Sequence, residues 1–175
     1  VDDYIISSHG SIIFNGTKND PIVVSSKDKF GSFVLNNNDY KLRNVIFKNL
    51  SFPKEKDKIL YGGINIINSN IEIENVKIIS SNSEDAINLI DSKSIINNLE
   101  IIDSFADGMD VDFGILSFNN IICKNIANDC FDISSAKVNG KNLKGNKIND
   151  KGLSFGENSI GTINNMDFQN SKLGI

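Results

Sequence analysis

Ala86-Ile87-Asn88-Leu89, Gly108-Met109-Asp110-Val111, Cys130-Phe131-Asp132-Ile133 and Gly152-Leu153-Ser154-Phe155 begin 22 residues apart each time. Each reads small, apolar, polar, apolar: the alternation of a strand whose second and fourth side chains point inward. Gly63-Ile64-Asn65-Ile66 precedes the first by 23 residues, and Lys172-Leu173-Gly174-Ile175 follows the last by 20. A second ladder, Asn75-Val76, Asn98-Leu99, Asn120-Ile121, Asn142-Leu143 and Asn165-Met166, is spaced by 23, 22, 22 and 23 residues. Two or three short strands per period, joined by polar turns, make one coil of a right-handed parallel β-helix in which each coil covers the edge of the last. The Asn column suits such a stack, because Asn tolerates the left-handed conformation and its amide can bond from coil to coil. Ile87, Met109, Phe131 and Leu153 are expected in one inward column, and Ile121 and Leu143 in another.

Composition agrees with an all-β solenoid. The 175 residues contain 29 Ile against 10 Leu, with 27 Asn, 20 Ser and two Pro. Helices favour Leu, Ala, Glu and Lys, whereas β-branched residues with turn formers make strands. A leucine-rich repeat shares the period but needs Leu and a helical segment. Toward the N-terminus the register continues through Ile22-Val23-Val24, Phe33-Val34-Leu35 and Asn44-Val45-Ile46-Phe47. The interval from Asn44 to Asn75 is 31 residues, which places an inserted loop at 53–60, around Pro53-Lys54-Glu55-Lys56-Asp57-Lys58. The single domain spans 1–175; it begins with Val1 and shows no cap at either end, so it reads as a segment of a larger protein with further domains.

A net charge of -4 and scattered basic residues argue against nucleic acid, which needs clustered Lys and Arg to displace counterions. No apolar run approaches the roughly 20 residues of a membrane span. Cys123 shares an inward column with Ile78, Ile101 and Phe168, whereas Cys130 lies in the small-residue column with Ala86, Gly108 and Gly152. On that placement they read as two free thiols. His9 falls outside the regular coils and reads as solvated.

Chemistry concentrates in three successive coils. Asp85, Asp107, Asp129 and Lys151 form one column; Asn88, Asp110, Asp132 and Ser154 form another that is expected to face outward. Asp107, Asp110, Asp129 and Asp132 then crowd one flank, where like charges raise one another's pKa unless a cation or bound hydroxyls intervene. Such a group can work as acid and base, as an oxygen-ligand calcium site, or as a binder of sugar hydroxyls. A plainer reading also stands: Asp before a strand caps a turn by accepting backbone N–H groups, and a solenoid repeats any good turn residue.

At these residues the chain resembles the pectin-lyase-like superfamily, and in places its family 28 glycoside hydrolases, the polygalacturonases. Ala106-Asp107-Gly108 resembles the end of that family's Asn-Thr-Asp-Gly segment and Asn128-Asp129-Cys130 its Asp-Asp-Cys segment, while Asp150-Lys151-Gly152 stands where Gly-His-Gly would. The resemblance implies hydrolysis of uronate polymers by Asp107 and Asp129. The family's general acid is replaced by Asn128, however, and its histidine by Lys151, and the sequence ends before the family's basic segment could be placed. Three readings therefore stay open. The first is a non-catalytic module that binds or presents carbohydrate on a surface or extracellular protein. The second is a polysaccharide lyase, epimerase or hydrolase acting on uronate-containing glycans, with Asp107, Asp110, Asp129 and Asp132 holding Ca2+ and Lys151 as base. The third is a passive structural spacer or assembly domain.

Overall fold

Left-handed corners, three in each coil, shape the chain. Asn44, Asn75, Asn98, Asn120, Asn142 and Asn165 all have φ between 50° and 70°. A second column, Asn49, Ser80, Asp103, Asn125, Lys147 and Asn170, and a third, Asn37, Asn68, Asp91, Phe113, Ser135 and Asn158, are likewise left-handed. Short polar side chains satisfy the local backbone there at lower cost than other L-residues. The turns between corners are extended and β-branched, and they become the strands.

The computed structural model describes residues 10–27, 30–52 and 60–175, together with the backbone of 5–8. His9 and most of the expected insertion lie outside the described residues. Sheet A stacks β1 (Ile5–Ser8), β4 (Ser32–Asn36), β6 (Gly62–Ile67), β8 (Asp85–Ile90), β10 (Asp107–Asp112), β12 (Phe131–Ser134) and β14 (Ser154–Phe155) in that order. Sheet B stacks β2 (Ile12–Asn15), β5 (Asp39–Lys48), β7 (Asn70–Ser81), β9 (Lys93–Ser104), β11 (Ile115–Ile126), β13 (Lys137–Lys151) and β15 (Ile160–Leu173), with β3 (Ile22–Ser25) beside the second half of β5. Every pairing is parallel, from Ile64↔Ile87↔Met109↔Phe131 in sheet A to Val76↔Leu99↔Ile121↔Leu143 in sheet B. No helix occurs among the described residues, which removes the leucine-rich alternative and leaves a parallel β-solenoid.

The expected inward columns are buried: Ile87, Met109, Phe131 and Leu153 are at most 4% exposed, and Ile121 and Leu143 are fully enclosed. The long strands of sheet B bend at their central Asn, which divides the sheet into two faces around one core. Along that bend Asn98 Nδ2 donates to Asn75 Oδ1 (2.9 Å), Asn120 to Asn98 (2.7 Å), Asn142 to Asn120 (2.8 Å) and Asn165 to Asn142 (3.1 Å). The ladder therefore forms as the sequence suggests.

The two cysteines correct the sequence reading. They do lie on different faces, but the corner at Asn125 folds those faces together, so their Cα atoms are 5.7 Å apart and the sulfurs form a disulfide. No free cysteine remains. One coil later the same two positions are Gly145 and Gly152, and the Phe168 ring fills the vacated volume; a β-carbon on Gly152 would sit 2.4 Å from that ring.

Asn120→Ala should cost about 2–3 kcal/mol, because it removes two amide bonds of the ladder and places alanine in a left-handed corner. Asn120→Gly, which keeps the corner, should recover about 1 kcal/mol of that. Thermal denaturation reads both; equal melting temperatures for the two variants would show that the corner carries no strain.

Candidate functional site

The Asp column divides into capped and uncapped members. Asp107 Oδ1 accepts the backbone N–H of Asp129 (2.7 Å), and Asp129 Oδ1 accepts that of Lys151 (2.8 Å). These two carboxylates therefore act as turn caps that tie each coil to the next, which is the plainer of the two roles open to them from sequence. Asp85 departs from the pattern: Asp107 N–H donates to Glu84 O instead, and Asp85 Oδ2 takes the Asn88 side-chain amide at 2.9 Å. Burial of Asp85 pushes its carboxyl up to about 7, since an isolated charge is poorly solvated away from water.

Lys151 closes the other end of this column. Its Nζ lies 3.0 Å from Asp129 Oδ2 and 3.0 Å from Asp150 Oδ2, while Lys172 also reaches Asp150. Asp129 is 3% exposed, so the ammonium neutralises a buried charge. Hydrogen bonds to Asp129 and Asp150 raise the Lys151 pKa above its ordinary value. A lysine that abstracts protons needs the opposite shift.

On the outer face of sheet A the parallel register places Asn65, Asn88, Asp110, Asp132 and Ser154 in one line. The expectation that this line faces solvent holds only in part. Asn65 and Asn88 are 0% and 2% exposed, whereas Asp110, Asp132 and Ser154 are half-buried. Asn65 satisfies its amide locally on Gly62 and Ser32, but Asn88 Oδ1 is buried without a partner.

Asp112, two residues beyond Asp110 and therefore on the same face, joins this line. Burial first, and then the neighbouring charges of Asp112, Asp85 and Asp132, push Asp110 up to about 8. Burial first, and then the charge of Asp132, also raise Asp112, against an opposing interaction with the Asp110 carboxyl. Asp107, raised by its own burial, faces the capping side. The four aspartates grouped by sequence thus separate into a capping pair, Asp107 and Asp129, and an acidic face formed by Asp110 and Asp132 with Asp112 and Asp85. Among the described residues no group of three or more His, Cys, Asp or Glu side chains is placed to hold a metal ion. Asp112 was legible as the second member of Asp110-Val111-Asp112, whereas Asp85 could not be separated from its capping neighbours without the hydrogen bonds.

The chain matches no known family and no curated protein sequence.

Because Asp85 and Asp110 bind protons more tightly folded than unfolded, their contribution to stability is complete below pH 4 and is lost as pH rises through about 7 to 8. Glu100, held low by hydrogen bonds from Lys124 and Lys77 despite some burial, acts in the opposite sense: its contribution is present above the ordinary glutamate range and fades as pH falls below it. The melting temperature should therefore fall by several degrees between pH 5 and about 9, and Asp110→Asn should flatten that slope. Calorimetry across the range checks it; a parent curve that is flat or rising toward alkali contradicts the buried acid pair.

Proposed function

We propose that this β-helix is a non-catalytic carbohydrate-binding module that takes a hydroxyl-rich polymer along the outer face of sheet A. The observation that carries the reading is the Asp110–Asp112 pair, two carboxyl groups on one partly desolvated face with Asp110 pushed up to about 8. Sugar hydroxyls are donors and acceptors at once, and they match such a pair better than a cation or a purely apolar group does. Asp132 and Ser154 extend the line at the coil spacing of about 4.8 Å, which suits a chain lying across several coils. The enclosed Cys123–Cys130 disulfide supports an oxidising, extracellular setting. No helix is long and apolar enough to cross a membrane among the described residues.

A hydrolase is the second reading, and one observation favours it. A carboxyl pushed up to about 8, with the Asp132 carboxyl in register on the next coil, gives two neighbouring carboxyl groups of the kind glycoside hydrolysis uses. The roles would then fall on Asp110 and Asp132 rather than on Asp107 and Asp129, whose oxygens already hold backbone amides. The pectin-lyase-like resemblance supports a glycan ligand. Asn128 and the ion-paired Lys151 weigh against both the polygalacturonase and the lyase chemistry.

A glycan array that includes uronate polymers, run with a reducing-end assay, separates the readings. Saturable binding without turnover is expected, and Asp110→Asn with Asp132→Asn should weaken it at least about tenfold, or 1.4 kcal/mol, while the protein stays folded. Turnover abolished by the same double variant selects the hydrolase. Silence on every glycan leaves a structural spacer and contradicts the proposal.

A further inference from the structure

Phe113 is an aromatic residue at a left-handed corner of the solenoid. In the column Asn37, Asn68, Asp91, Phe113, Ser135, Asn158 every member but one is a short polar turn former, yet Phe113 adopts φ 58° among them. Left-handed φ is strained for a bulky side chain, and such outliers persist where function holds them. Packing does not explain it, since Phe113 is 65% exposed. Gly114, which follows, lets this backbone lie against the previous coil; a β-carbon there would meet Ser92 O at 2.6 Å. The glycine thus permits the close approach that holds Phe113 in place.

Around the ring lies a groove of about 450 Å³ whose lining includes Asn70, Asp91, Ser92, Lys93 and Ile115. A second groove of about 380 Å³ continues it, sharing Asn70 and Lys93. Asp91, Lys93, Phe113 and Ile115 are exposed. Asn70 is held by its amide to Asp39 at 2.7 Å, and Ser92 by its hydroxyl to Ile90 O at 2.8 Å, so two of the polar walls are fixed in advance. Asp91 and Lys93 have no ion-pair partner among the described residues.

We infer that this corner groove is a second ligand site, separate from the sheet A face, which binds a neutral hexopyranose with Phe113 as its stacking platform. A pyranose presents an apolar C–H face and a rim of hydroxyls. The groove presents one aromatic face with a carboxylate acceptor, an amide and an ammonium donor beside it. Pockets of this size take small ligands through an apolar body and a few placed polar groups. An extended peptide fits less well, because the walls here are side chains and corner backbone rather than an open strand edge.

Phe113→Asn gives the test, because asparagine is what three of the other coils place at this corner. Relieving the strain should raise the melting temperature by a few degrees, so loss of folding does not confuse the result. The whole chain would be titrated by NMR with cellohexaose, maltohexaose, laminarihexaose and mannohexaose. At least one should shift the Phe113 ring resonances saturably, and Phe113→Asn should weaken that binding at least tenfold. Asp110→Asn with Asp132→Asn should leave it unchanged, which separates this site from the acidic face. No saturable shift with any of the four hexaoses, or equal binding by Phe113→Asn, overturns the assignment; so does a Phe113→Asn protein that melts below the parent.

Discussion

Three left-handed corners in every coil are the constraint on which the rest of this solenoid depends. An L-residue pays about 1–2 kcal/mol to enter that conformation, and asparagine pays least after glycine because its short amide bonds locally. The chain meets the requirement with Asn at most corners and with Asp, Ser, Phe113 and Lys147 at the remainder. Because the corners recur at nearly constant spacing, each coil lies on its predecessor in register, and like residues stack over like. Asn stacked on Asn gains a side-chain amide bond per step, and Ile stacked on Ile excludes water. A single repeat decision therefore sets both the backbone path and the core.

Register has a cost where the repeated residue is charged, and the molecule answers it in different ways. On sheet B opposite charges alternate across coils: Lys41 pairs with Glu72, and Glu100 lies between Lys77 and Lys124 at 2.8 and 2.7 Å. At the corner leading into sheet A, Asp107 and Asp129 satisfy their oxygens with backbone amides of the following coil, and Lys151 ends the column with an opposite charge. Asp85 and Asp110 have neither an opposite charge nor a backbone amide of the following coil on their carboxyl groups, and burial pushes them up to about 7 and 8 instead. Acid groups held together on a partly buried face are where ligand chemistry is best sought.

The repeat was legible because its two ladders are separately periodic: the inward Ile87–Leu153 column and the Asn75–Asn165 column each fix the coil length. Less legible was anything that depends on how faces meet. Cys123 and Cys130 belong to different columns, as their spacing implies, but sequence spacing does not show that the corner at Asn125 closes the distance to 5.7 Å. Asp107 and Asp110 look alike in sequence and serve different ends, because one faces a backbone amide and the other a second carboxyl. Phe113 is invisible to hydrophobic patterning for a related reason. An aromatic next to a strand reads as core until its φ and exposure are known.

What joins fold to site is that burial on the face of sheet A, with the charges of Asp112, Asp85 and Asp132 beside it, holds the Asp110 proton. Carboxyl-carbon NMR across a pH titration measures this residue by residue. The expected midpoints are near 8 for Asp110 and near 7 for Asp85, with the Asp112 signal responding to the Asp110 step through the neighbouring charge. If both Asp85 and Asp110 titrate near 4, as solvated aspartates do, the sheet A line is ordinary exposed surface and the account is contradicted.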